Sequence, residues 1–158
     1  MDGIQYTDIA GINRSYADLP SPAAWGPERI ISRDDIDSFA NVTNNFQWIH
    51  EDDERCLRES PYGAVIAHGL LLVSLIPGLL ADEHKPIVGH RVRIIRRIDL
   101  LRLPSPVFAG ERVHVRSAFV RAYDAPSGKG TVVERDVELW SLSGAKPAVV
   151  CRLSLQYF

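Results

Sequence analysis

Residues 43–53, "TNNFQWIHEDD", end a run of amides on a histidine, and "VIAHG", residues 65–69, supplies a second one. A histidine whose tautomer is fixed by its neighbours is the usual proton shuttle near neutral pH. His50 stands beside Asn45 and Gln47 and precedes Glu51, Asp52 and Asp53, which could orient its ring. Five residues before His50, where a general base should stand, the chain carries Asn45. A carboxamide donates and accepts hydrogen bonds but takes no proton in water. Asn45 could therefore hold a water or a carbonyl oxygen, not act as a base.

The pair His68-Gly69 offers a complementary group. Gly69 falls in the first turn of a long apolar segment, where backbone N–H groups lack partners and the positive end of the helix dipole lies. Glycine lets a ligand come close, so such a turn can donate to a developing enolate or oxyanion. Each residue also has a purely structural explanation. Asn44 and Asn45 suit a helix end, because Asn tolerates left-handed backbone. Gly69 suits a loop-to-helix junction, and His68 a buried partner of a carbonyl. Gln47, Trp48, His68 and Ser74 complete the candidates for substrate contact, although Ser74 in "LLVSLI" reads as packed within its helix.

The elements that position these residues are legible in outline. "YADLPSPAAWGPERI" is proline-rich and reads as part of an extended N-terminal arm, residues 1–27. "SRDDIDSFANVT" predicts a helix with Ser32 as N-cap and Asp35 closing a capping box. Ile36, Phe39, Ala40 and Thr43 share one face. "EDDERCLRES" predicts a short polar helix stopped by Pro61 and Gly63. "AHGLLLVSLIPGLLADE" predicts a helix that is apolar nearly all round, hence buried, with a kink or end near Pro77.

After residue 86 the pattern becomes that of strands. In "HVRSAFVRAY", Val113, Val115, Ser117 and Phe119 alternate with His114, Arg116, Ala118 and Val120. "GTVVERDVELWSL" and "PAVVCRLSLQYF" are also β-rich, with "DAPSGKG" and "SGAKP" as hairpin turns. Helices followed by three or four antiparallel strands make an α+β layout, with a sheet able to wrap the apolar helix. "HRVRIIRRIDLLR" carries Arg91, Arg93, Arg96, Arg97 and Arg102. It reads as a solvated strand face, or as a patch for phosphate or an acidic carrier.

A chain of 158 residues suggests one domain, residues 1–158, with 46% hydrophobic and 24% charged residues as in soluble proteins. The net charge of −2 argues against bulk attraction to nucleic acid or membrane. The apolar run "GLLLVSLIPGLLA" is too short to span a bilayer, the N-terminus lacks a signal peptide's pattern, and the two cysteines, Cys56 and Cys151, form no framework. A cytoplasmic protein is expected. No metal pattern, phosphate-binding glycine loop or serine elbow is present, so neither metal nor cofactor is expected.

The stretch from "FANVTNNFQWIHEDDERC" to "VIAHGLLLVSLIPGLL" resembles the MaoC-like, (R)-specific enoyl-CoA hydratase family, most closely its nodulation-protein-N-like branch. That branch reads A-T-G-D-x-Q-W-I-H, an acidic helix, then P-I-A-H-G. Gln47, Trp48, Ile49 and His50 match the first motif, and Ile66, Ala67, His68 and Gly69 the second. "RLPSPVFAGERV", residues 102–113, is similar to a further strand-turn-strand signature of the branch. The resemblance implies a hot-dog fold and a homodimer whose sheets join edge to edge. It also implies an acyl thioester of CoA or an acyl carrier protein as substrate, with water adding to C3 of a trans-2-enoyl group. It gives His50 the histidine role and Gly69 the carbonyl-polarising amide. Asn45 stands at the family's aspartate position, Asn44 at its glycine, Pro77 where some hydratases carry a polar residue, and "IIRRIDLL" lacks the branch's N-Y-G.

Three readings follow from Asn45. The chain is a hydratase with Asp replaced by Asn, by design or by divergence. Or His50 works alone in dehydration, isomerisation or cyclisation of an activated acyl group. Or the pocket is kept only for binding, in a partner subunit.

Overall fold

The computed structural model describes residues 25–80 and 90–158. Helix α1, Arg33–Thr43, begins with the expected capping box. Ser32 Oγ accepts the Asp35 N–H at 3.1 Å, and Asp35 accepts the Ser32 N–H at 3.0 Å. Such a cap is worth about 1 kcal/mol. The helix buries Ile36 and Ala40 and ends at Asn44, whose φ of 53° is the left-handed conformation that Asn tolerates.

Two short helices follow, α2 (Trp48–Glu51) and α3 (Asp53–Glu59). Asp52 ends one and caps the other, its side chain accepting the Arg55 N–H at 2.9 Å. Asp53 pairs with Arg33 at 2.6 Å. Two of the three carboxylates after His50 are thus engaged in structural contacts.

Helix α4, Gly69–Leu79, is the apolar helix. Pro77 sits inside it without ending it at once; the helix closes at Leu80, whose N–H reaches Ile76 O at 2.9 Å. The end of the expected helix, residues 81–83, lies outside the described residues. Leu71, Leu72, Val73, Ile76 and Leu79 are buried. Burial is not complete, however: Leu70, Ser74 and Gly78, four residues apart, form an exposed stripe.

The strands are β1 (Arg29–Ile30), β2 (Arg93–Arg102), β3 (Arg112–Asp124), β4 (Thr131–Ser141) and β5 (Val149–Tyr157). They form one antiparallel sheet in the order β1-β3-β4-β5-β2. Val113, Val115, Val137, Leu139, Leu153 and Leu155 pack with Leu72 and Ile76 in one core. At about 1.5–3 kcal/mol per large side chain, this burial holds the helix to the sheet. The arrangement is the α+β hot-dog fold. The turn at residues 124–130 needs Gly130, whose φ is 76° and where a Cβ would stand 2.0 Å from Tyr157 O.

A bulge in β2 between Ile95 and Arg97 brings two consecutive arginines to work. Arg96 donates to Gln156 at 2.6 Å and Arg97 to Glu134 at 3.2 Å. These two guanidiniums thus engage partners within the sheet. Of the expected arm, residues 1–24 lie outside the described residues; Trp25 stacks on His114 with ring centroids 3.7 Å apart. No described helix is long and apolar enough to cross a membrane.

Candidate active site

Backbone pairing builds the site. The Ala67 N–H donates to Val107 O at 2.8 Å and the Ala109 N–H to Val65 O at 3.2 Å, tying residues 65–67 to the loop after β2. The Ile66 N–H donates to Ile49 O at 3.2 Å, which fastens α2 to the same segment. His50 and Gly69 are thereby brought to one cavity of about 260 Å³. Its remaining wall includes Ile66, Leu72, Ala148 and the loop residues Leu103–Pro106.

His50 is buried, and its Nδ1 lies 2.8 Å from Ile66 O. A carbonyl only accepts, so Nδ1 carries the proton and Nε2 of the neutral ring keeps its lone pair. Burial pushes the imidazole below its ordinary pKa, with the neighbouring His68 adding to the fall. The Ile66 hydrogen bond and Glu51 oppose it. His50 is thus held as a neutral base with a defined free nitrogen.

His68 stacks on His50, centroids 3.7 Å apart and planes 26° from parallel. It is the N-cap residue of α4, yet its side chain makes no capping bond. Instead Nε2 donates to the main-chain carbonyl of Asn45 at 3.1 Å. This is the carbonyl-partner role considered for it above. Its Nδ1 is buried without a partner among the described residues. The first amides of α4 thus receive no side-chain cap, and Gly69, the first residue of the helix, lines the cavity. Gly69 suits that position because of space: its φ is not in the left-handed region, but a Cβ would stand 2.4 Å from Leu103 Cδ1.

The other candidates lie elsewhere. Asn45 is half-buried and meets His68 through its carbonyl, not its side chain. Gln47 is exposed at the start of α2; Trp48 packs against the core under the Arg55 guanidinium, 4.4 Å from its ring. Neither lines the cavity. Ser74 is exposed rather than packed, and donates to Leu70 O at 2.8 Å. At 3.6 residues per turn it points roughly 140° round α4 from Gly69, which takes it away from the cavity. The loop wall was missed in the sequence, although "RLPSPVFAGERV" spans it; an apolar residue set before two prolines was the available signal.

A larger cavity of about 340 Å³ lies across β3, β4 and β5, with Leu100 and Arg102 of β2 at its edge. Its carboxylates are already matched: Asp136 with Arg152 at 2.7 Å and Glu138 with Arg116 at 2.7 Å. The smaller cavity is the one that holds His50 and the first residue of α4.

The MaoC like domain family matches residues 22–140. This chain belongs to that family. The MaoC-like chain is 35% identical over 154 residues to 3-hydroxyacyl-thioester dehydratase Z of Mycobacterium tuberculosis, covering 91% of this chain and 98% of that protein. It is 37% identical over 106 residues to nodulation protein N of Rhizobium leguminosarum bv. viciae, covering 65% of this chain and 66% of that one. Among solved structures, the (R)-hydratase from A. caviae involved in PHA biosynthesis superposes with a TM-score of 0.68 at 21% identity, over 88% of this chain and 98% of that one. This last likeness establishes the shared fold.

Proposed function

We propose that this MaoC-like chain is a lyase acting on acyl thioesters of CoA or an acyl carrier protein. It hydrates trans-2-enoyl groups and, in reverse, dehydrates 3-hydroxyacyl groups. The observation that carries the reading is the pairing of His50, its tautomer set by Ile66 O, with Gly69 at one cavity. The thioester dehydratase relative supports the same substrate class.

In hydration, His50 Nε2 takes a proton from water as the oxygen adds to C3. Negative charge moves to the thioester carbonyl oxygen, where the Gly69 N–H donates to it. The enolate then takes at C2 the proton that His50 removed from water. In dehydration the steps reverse: His50 removes the C2 proton and passes it to the C3 hydroxyl, which leaves as water. Asn45 contributes no proton; a carboxamide only donates and accepts hydrogen bonds. Acid–base catalysis by a positioned side chain is worth about 10²–10⁴-fold. His50→Ala should therefore lower crotonyl-CoA hydration by that factor, and equal turnover by the two proteins would sink the reading.

The working unit is a homodimer in the cytoplasm. Strand β2 is a sheet edge with exposed Ile95, Ile98 and Leu101, the kind of edge that recruits a second copy. Buried, free Cys56 and Cys151 suit a reducing compartment. Sedimentation should give a dimer at micromolar concentration; a stable monomer there would refute the assembly.

A further inference from the structure

We propose that Leu103 sets the length of the acyl chain this site admits, by standing as a side-chain gate over the Gly69 amide. The proposal rests on the thioester reading above and deepens it, because His50 and Gly69 act on the reacting end and say nothing of the chain behind it.

Leu103 follows β2 directly and lines the cavity opposite the start of α4. A Cβ on Gly69 would stand 2.4 Å from Leu103 Cδ1 and 3.4 Å from Cδ2 and Cγ. The leucine side chain therefore lies against the Cα of Gly69, the first residue of the helix and the one that carries the amide donor. A thioester oxygen at that amide therefore has the Leu103 side chain as a close neighbour. The backbone beneath it is stiff: Pro104 and Pro106 each fix φ near −65°. The side chain is not. Leu103 is 49% exposed and stands outside the core cluster, so rotating it breaks few contacts. A rigid loop bearing one movable apolar side chain over the donor is a gate in the mechanical sense.

The cavity behind it accepts an apolar chain of limited size. No Asp, Glu, Lys or Arg lines it, and Ile66, Leu72 and Ala148 supply apolar surface. If each heavy atom takes roughly the 30 Å³ share of a liquid water, its volume of about 260 Å³ holds about nine heavy atoms. That is a thioester group with a short chain. A longer chain needs room beyond this volume, and the movable Leu103 side chain in the wall is where room can be made.

The test compares the full chain with Leu103→Ala and Leu103→Phe on crotonyl-, trans-2-hexenoyl- and trans-2-decenoyl-CoA. The readout is the ratio of kcat/KM for the decenoyl over the crotonyl thioester. A methylene in an apolar pocket changes discrimination by about 10–200-fold. Alanine should raise the ratio by at least about tenfold and phenylalanine should lower it. Opposite shifts from the two variants are what a gate gives and a general disturbance of the loop does not. The same ratio in all three proteins overturns the proposal. Binding of butyryl- and decanoyl-CoA, saturated thioesters that cannot be hydrated, reads the gate independently of catalysis. If no enoyl thioester is turned over, the proposed activity fails, and the gate still stands if alanine selectively tightens decanoyl-CoA. Unaltered selectivity in binding, or no binding of either probe, overturns it.

Discussion

His50 and Glu134 are both buried, at 7% and 1% exposure, yet their surroundings drive them to opposite charge states. His50 is pushed toward its neutral form, chiefly by burial. Glu134 is held in its charged form, chiefly by the Arg121 hydrogen bonds at 2.8 and 3.0 Å. The Tyr123 hydroxyl at 3.1 Å and Arg97 at 3.2 Å add to that. The difference is in partners rather than in depth. His50 meets a carbonyl and a second imidazole; Glu134 meets two guanidiniums and a phenol. Burial alone penalises charge in both places, and only a sufficient set of opposite charges reverses the outcome. A group kept neutral and ready to take a proton can do chemistry; a fully matched carboxylate on the sheet can only hold strands together.

The sharpest way to break this contrast is to give the histidine side a carboxylate. Asn45→Asp places one at the position the family fills with aspartate. Because the Asn45 contact with His68 uses the main chain, the substitution leaves that hydrogen bond in place. Hydration of crotonyl-CoA should rise by about 10²–10⁴-fold, the usual worth of a positioned base. A fall in rate instead would mean that the site needs a neutral donor at residue 45 beside the developing enolate.

The converse change takes the charge from the other side. Glu134→Gln keeps the shape and loses the carboxylate, and hydrogen bonds to charged groups are worth about 1.5–3 kcal/mol. Arg97 and Arg121 are 53% and 62% exposed, so water receives them when the carboxylate is gone. The expected loss is therefore near the lower figure, about 1.5 kcal/mol, read as a lower urea midpoint at neutral pH. The sign of the pH dependence follows from the depressed pKa. The contribution is present above the ordinary carboxylate value of 4.5 and disappears as pH falls through the lower, folded value. The two proteins should converge in acid. A constant difference down to the acid transition would show that the loss does not come from the ionised carboxylate.

How far these two sites could be read in the sequence depends on how local each is. Ser32 and Asp35 lie three residues apart, and the capping box was legible because both partners are in view at once. Asn44 as a helix end and the turns at 124–130 and 143–147 were legible for the same reason. The pairing of His50 with Gly69 needed the family resemblance, since nothing local brings residues 50 and 69 to one cavity. The stacking of His50 on His68 was out of reach, because it depends on how Ile66 is clamped between Ile49 and the loop after β2. Glu134 was invisible as an anchor: its arginines come from β2 and β3, and a bulge decides which way Arg97 faces. Ser74 misled because a single polar residue in an apolar helix does not reveal which stripe faces out.

The smallest effect expected is a displaced pH profile, and it tests the neutral-base half of the contrast most directly. The groups facing His50 are the Ile66 carbonyl and Glu51, which favour the protonated ring, and His68, which opposes it; burial outweighs the former. The pKa therefore lies below the ordinary value of 6.5. In the free enzyme kcat/KM should be flat above that pH and fall in acid through a midpoint below it, as the ring is protonated and loses its lone pair. Folding stability has the same direction. Above 6.5 both folded and unfolded imidazoles are neutral and His50 contributes nothing. Below it the unfolded chain takes the proton first, so the destabilisation grows as pH falls and levels off at its full value once the folded ring is protonated too. Asn45→Asp brings a negative charge toward the pair of rings and should raise the acid midpoint. Glu134→Gln should leave it where it is. A midpoint above 6.5 in the unaltered chain would mean that some carboxylate already reaches His50, and the distinction between the two buried groups would lose its basis.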